Sequence, residues 1–290
     1  MTRTEENGRT GVALGTETNA RGFDVMLMTL AYTMHQGKLC RQQQDCLLID
    51  GMIHQDRVLP IAAWSSTADD VLLAVADGVA SSGGNRRIAP QQASRIVLEE
   101  LVNAVREHPE WLQDGFVANR HARHIQTQLS DQLADNPKTY GAASTLAVVH
   151  VRSGRAAVLN VGDSRVYQAN REGQWRRLSK DHTVLQGMID RGEASPDTEY
   201  ASLYGALAHV LCADPEESDF AIHRVTVTLE PGDRLVLCSD GVHDQLGEAK
   251  LWALFDPSLD VAAQAKVWRD AVWRDGAKDN FSLVVVAIET

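Results

Sequence analysis

The sequence predicts a mixed domain in which buried strands are covered by amphipathic helices, and two observations carry that expectation. VLLAVADG (Val71 to Gly78), AAVLNVGD (Ala156 to Asp163) and RLVLCSDG (Arg234 to Gly241) are apolar runs of strand length without alternation, as expected of strands buried on both faces. Two further stretches carry apolar residues at the helical period, and each would lay one face on a sheet.

Residues 1 to about 24 are polar and aperiodic and are expected to form a tail outside the fold, leaving 25–290 as a single domain. A strand-like mixture follows from Val25 to His35. LLIDGMI from Leu47 predicts a second short run that turns at Asp50-Gly51. After the strand at Val71 come the helices, the first with Ala93, Ile96, Val97, Leu101, Ala104 and Val105 on one face, ending before Pro109. In the second, Ala118, Ala122, Ile125, Leu129 and Leu133 repeat the pattern before Asn136-Pro137. Residues 181 to about 222 mix Gly, Pro and acids among short helical pieces, which predicts an irregular, mobile segment before a strand near Ile222 to Leu229. SLVVVAI (Ser282 to Ile288) reads as the last strand, and Trp252, Trp268 and Trp273 are expected to pack an outer helical layer.

Composition narrows the function. With 28 Lys and Arg against 39 Asp and Glu the net charge is -11, and no basic run offsets it, so nucleic acid and anionic membrane are poor partners. No apolar run is long enough to span a membrane and no signal core opens the sequence, which predicts a cytoplasmic protein. Cys40, Cys46, Cys212 and Cys238 lack CxxC spacing and are expected to be free thiols.

The chemistry concentrates in aspartates. Asp77, Asp163 and Asp240 each close an apolar run, and Asp279 precedes the last one. If that strand lies antiparallel to its neighbours, all four acids share one rim. A single Asp-Gly pair is an ordinary turn. Several carboxylates at one rim, however, cannot all stay ionised without cations, and an oxygen-only ligand set points to Mg²⁺ or Mn²⁺.

The ordered motifs VADGVASSGG (Val75 to Gly84), YGAASTLAVVHV (Tyr140 to Val151), NVGDSRVYQA (Asn160 to Ala169), LSKDHT (Leu178 to Thr183), LVLCSDGVHD (Leu235 to Asp244) and KDNFSLVVV (Lys278 to Val286) resemble the PPM family of type 2C metal-dependent protein phosphatases, bacterial type. The resemblance spans about Thr29 to Ile288. It implies an α+β fold, a four-layer αββα sandwich of two antiparallel sheets flanked by helices, with a flap over about 181–220. It also implies two metal ions on Asp45, Asp77, the Gly78 carbonyl, Asp240 and Asp279, with Asp77 bridging and Asp45 acting through water. A third ion would sit on Asp163, Asp240 and Asp244. Asp77, Asp240 and Asp279 would be the catalytic set, and a metal-activated water would attack phosphorus in line, with no covalent intermediate.

Four positions depart from the family pattern, whose opening motif Gly-x-x-Arg-x-x-Asn-Glu-Asp falls here on Gly37, Cys40, Gln43, Gln44 and Asp45. The arginine expected to grip the phosphate falls on Cys40, so Arg41 is the candidate anchor, the alternative being a solvated surface arginine; in a strand, a one-place shift reverses the face unless a bulge restores it. Gln43 and Gln44 replace an asparagine and a glutamate, and Val79 stands where many eukaryotic members carry a histidine. Ser144, Thr145 and Ser164 lack any Ser-His-Asp logic and read as structural, as do His182 and His243. The implied function is a serine/threonine protein phosphatase, a monomer acting on phosphorylated proteins opposite a bacterial kinase. A catalytically weakened binding module and a small-phosphoester hydrolase are the alternatives.

Overall fold

The structure is a computed structural model and describes residues 26–68, 70–79, 89–109, 112, 115–196, 198, 200–217 and 219–289. The expected N-terminal tail and residues 80–88 of the VADGVASSGG motif lie outside the described residues.

In chain order the elements are β1 (Met28–His35), β2 (Asp45–Ile49), β3 (Met52–His54), β4 (Val58–Ser66), β5 (Asp70–Val79), α1 (Pro90–Glu107), α2 (Gly115–Leu133), β6 (Ala143–Ser144), β7 (Leu146–Arg152), β8 (Arg155–Val161), β9 (Arg165–Ala169), β10 (Trp175–Arg177), α3 (Val184–Asp190), β11 (Leu211–Cys212), β12 (His223–Thr228), β13 (Arg234–Cys238), α4 (Asp240–Leu246), α5 (Glu248–Ala253), α6 (Val261–Arg274) and β14 (Phe281–Ile288). One sheet has the order β10-β9-β13-β14-β1-β4. The other runs β11-β6-β5-β7-β8-β12, with β2 paired to β5 and to β3. All pairings are antiparallel.

The apolar runs lack alternation because both faces of each sheet are covered. In β5, Val71, Leu73 and Val75 face the space between the sheets, whereas Leu72, Ala74 and Ala76 join the cluster under α1 and α2. β14 divides the same way: Val284, Val286 and Ile288 lie between the sheets, and Leu283, Val285 and Ala287 lie under α6. Three apolar clusters thus separate four layers, the αββα order expected from the family motifs.

Local chemistry sets the ends. Asp50 (φ 46°) and Gly51 (φ 87°) form the left-handed pair of a two-residue turn that joins β2 to β3, the geometry Asp-Gly accommodates best. Pro90 opens α1, where its missing N–H costs nothing, and Asp260 caps α6 by accepting from the Ala263 N–H at 2.7 Å. The segment expected to be irregular holds α3, a 3₁₀ turn at Ser202–Gly205 and β11. β4 drew no expectation: it holds Pro60, it alternates exposed and half-buried residues with one slip at Ile61 and Ala62, and it forms an edge of its sheet.

Candidate functional site

Antiparallel pairing brings the acids together. Asp45 opens β2 directly opposite Asp77 near the end of β5. β13 and β14 run antiparallel with Cys238 opposite Leu283, so Asp240 and Asp279 flank the same end of the other sheet. Asp163 follows β8, whose partner β7 begins beside Asp77.

Asp45 is fully buried, and hydroxyls from the opposite sheet hold it. Ser239 Oγ donates to Asp45 Oδ2 at 2.8 Å and Ser282 Oγ donates to the same oxygen at 2.7 Å. The Asp45 backbone N–H donates to Gln43 Oε1 at 3.1 Å. Asp77 is set by its backbone: its N–H donates to Thr145 Oγ1 at 3.0 Å, and its carbonyl accepts from the Thr145 N–H at 2.8 Å. The Thr145 hydroxyl is 2.7 Å from Ser164 Oγ, so the hydroxyls near the acids have structural partners. Gly78 tolerates no side chain, because a Cβ there would stand 2.3 Å from the Pro90 carbonyl oxygen and 2.8 Å from that of Gln44.

Asn280 stitches the β1–β2 loop to this rim. Its Nδ2 donates to the carbonyls of Gln36 (2.6 Å) and Gln42 (3.1 Å), and its Oδ1 accepts from the Gln44 N–H at 2.6 Å. Cys40 and Arg41 lie in that loop and not in a strand, so the face-reversal expected of a one-place shift does not arise. Arg41 is exposed there, while the Cys40 thiol lies 3.0 Å from Asp279 Oδ1. Asp279 is itself exposed, and its Oδ1 also accepts from the Asn280 N–H at 2.7 Å.

His243 and His182 each hold a backbone group through one ring nitrogen. His243 is buried, its Nε2 3.1 Å from the Asp163 carbonyl and its Nδ1 2.9 Å from Asp244 Oδ1, so one ring spans two of the residues expected at a third ion. His182 Nδ1 accepts from the Gly162 N–H at 3.0 Å, and burial, with His209 and His223 nearby, lowers its pKa to about 4.

The electrostatics of the acids are unfavourable as they stand. Burial pushes Asp45 up to about 7 against the opposing pull of the Ser282 and Ser239 hydroxyls. Burial, then the charges of Asp240 and Asp45, hold Asp77 well above the carboxylate range; burial, then Asp240 and Asp181, do the same to Asp163. Asp240 is also raised, chiefly by burial. Asp244, though exposed, moves the other way: desolvation raises it, but the His243 contact outweighs that and lowers it.

Two buried oxygens, Asp45 Oδ1 and Asp240 Oδ1, have no hydrogen-bond partner among the described residues. Orphaned carboxylate oxygens in an all-oxygen cluster fit hard divalent cations. Among the described residues no three His, Cys, Asp or Glu side chains are grouped closely enough to hold an ion by themselves. Asp240, Asp244, Lys278 and Asp279 line an open cleft of about 190 Å³ at this rim.

Motif reading located the aspartates but missed Ser239, Ser282, the bond from the Asp45 N–H to Gln43 and the loop-stitching side chain of Asn280. Ser239, Ser282 and Asn280 lie inside the SDG and DNFS segments, and nothing local marks them as partners of a residue near position 45.

The family model described as Protein phosphatase 2C matches residues 47–272. The chain is 28% identical over 221 residues to serine/threonine protein phosphatase PstP of Mycobacterium tuberculosis, covering 75% of this chain but only 40% of that relative's length. It is 24% identical over 235 residues to protein phosphatase PhpP of Streptococcus pneumoniae, covering 78% and 89% of the two chains. Among solved structures, the catalytic domain of PstP in complex with two manganese ions superposes with a TM-score of 0.68 at 21% identity, over 91% of this chain and all of that one. That likeness establishes the shared fold.

Proposed function

We propose that this chain, which belongs to the protein phosphatase 2C family, is a divalent-metal-dependent hydrolase of phosphoserine and phosphothreonine in proteins, acting in the cytoplasm opposite a Ser/Thr kinase. One observation carries the reading: Asp45, Asp77, Asp163 and Asp240 meet at one rim with raised pKa values and two unpartnered oxygens, an arrangement that bound cations stabilise. The named phosphatases similar to this chain support the choice of substrate.

Asp45, Asp77, the Gly78 carbonyl, Asp240 and Asp279 would hold two Mg²⁺ or Mn²⁺ ions, and Asp163, Asp240 and Asp244 a third. Such ions, when bound, acidify water into a nucleophile and draw charge from phosphoryl oxygens. The chain's own residues orient the rest. Ser239 and Ser282 fix the Asp45 carboxylate, Thr145 fixes the backbone of Asp77, and His243 holds the Asp163 carbonyl with its other ring nitrogen close to Asp244. Arg41, exposed on the β1–β2 loop, would meet the phosphoryl group.

The test is Mn²⁺-dependent phosphate release from a phosphothreonine peptide and from p-nitrophenyl phosphate. Activity should vanish with EDTA and in Asp240→Asn, and the peptide should be preferred. Folded protein that stays inactive in millimolar Mn²⁺ would overturn the proposal. Arg41→Ala should raise KM more than it lowers kcat if Arg41 binds ground and transition states alike.

A further inference from the structure

Away from the carboxylates, a groove of about 280 Å³ opens where β1 and the edge strand β4 meet the C-terminal half of α6, lined by His35, Val58, Pro60, Arg269 and Trp273 among others. Its wall is aromatic: the His35 ring stacks on Phe281 at 5.6 Å and meets Trp273 edge-on at 4.7 Å. Val58 and Trp273 are 51% and 43% exposed, which leaves two large apolar side chains uncovered at the mouth.

The charge around this groove opposes that of the molecule. The chain carries -11 overall, yet Lys38 Nζ sits 4.4 Å above the Trp273 ring, and burial followed by the nearby charges of Arg57 and Arg269 lowers the His35 pKa. Asp270 matches Arg269, whereas Lys38 bonds a backbone carbonyl and neither it nor Arg57 has a carboxylate partner among the described residues. The same loop leads to the metal rim. The Lys38 N–H donates to the Ala277 carbonyl at 2.7 Å, two residues on Cys40 contacts Asp279, and Lys278 lines the acidic cleft. A peptide whose phosphoryl group lay in that cleft would pass along the Lys38 loop to reach the groove.

Building on the phosphatase reading, we propose that this groove docks an acidic segment flanking the phosphorylated residue of the protein substrate, with one bulky apolar side chain seated against Val58 and Trp273. The cations attract a segment that the rest of the acidic surface repels, and the apolar anchor sets its register. Selection then occurs beside the reaction centre, leaving hydrolysis of the phosphoryl group itself unaffected.

The experiment has a binding arm and a turnover arm. A fluorescein-labelled, non-phosphorylated peptide of Glu and Ser with one central Phe is titrated by anisotropy against the full chain and against Val58→Asp, Trp273→Asp and Lys38→Glu, each verified as folded by circular dichroism. Binding should weaken at least tenfold in the folded variants and in a peptide with Ser in place of Phe. In the turnover arm, a phosphothreonine peptide extended by that segment on either side should show a KM raised by a similar factor in the variants, with p-nitrophenyl phosphate kinetics unchanged. No binding to the wild-type chain, or equal binding by the variants, overturns the docking surface. If the peptide binds as expected but neither phosphate ester is hydrolysed, the phosphatase reading fails and the surface stands.

Discussion

The Cys40 thiol and the Asp279 carboxylate meet at 3.0 Å, so a side chain in the β1–β2 loop is joined to one expected to bind metal 239 residues later. Together with the Asn280 N–H, the thiol occupies Asp279 Oδ1, so under the proposed function Oδ2 would be the oxygen open to a cation. Cys40→Ala should free the carboxylate to rotate and weaken Mn²⁺ binding about fivefold, the equivalent of about 1 kcal/mol for one modest hydrogen bond. Calorimetric Mn²⁺ titration checks this. Cys40→Ser, which restores a donor, should recover most of the loss.

The raised acids couple metal binding to pH. Burial holds Asp45 at about 7 against 3.8 in the unfolded chain, so the metal-free fold is favoured by that group below about 4 and loses the contribution as pH rises to about 7. The slope is at most about 1.4 kcal/mol per pH unit for one group. Cations bind the ionised form and reverse the trend. The difference in Tm between protein in Mn²⁺ and protein in EDTA should therefore grow from pH 5 to 7.5 and then level off. A difference independent of pH would contradict the carboxylate assignment.

Asn280→Ala removes three side-chain hydrogen bonds and leaves the carbonyls of Gln36 and Gln42 and the Gln44 N–H without this partner. A loss of about 3 kcal/mol in stability is expected. Hydrogen exchange should quicken through residues 36–44 and remain slow in β14, since the damage is to the loop and not to the sheet.

The tryptophans of the outer layer should separate by burial. Trp268 is fully buried in α6 and donates from Nε1 to the Leu251 carbonyl at 2.8 Å, whereas Trp252 is 38% exposed. Trp268→Ala should cost about 3–5 kcal/mol in urea unfolding. Trp252→Ala should cost well under half of that.

How much was legible follows from the range of each signal. A strand buried on both faces is apolar at nearly every position, so β5, β8 and β13 are visible in the sequence, and an aspartate closing such a run stands out as a charge with a purpose. Asp279 required one further premise, the antiparallel pairing of β13 with β14, which the register supplies. β4 escaped notice because Pro60 stands inside its apolar run, and a proline in a run argues against a strand unless the strand lies at an edge, as β4 does. The Asp45 clasp was invisible for a different reason: Ser239 and Ser282 lie 194 and 237 residues away, and a lone serine in a motif does not announce its acceptor.

By itself, then, the sequence determined the strand runs, the two long helices α1 and α2, and the oxygen-rich chemistry, because side-chain period and residue type act over a few positions. Only the tertiary structure decided that Cys40 and Arg41 belong to a loop, that hydroxyls of one sheet hold an acid of the other, and that His35, Val58 and Trp273 share a groove. Those outcomes depend on how two sheets stack and where a loop crosses their rim, and packing of the whole chain sets both.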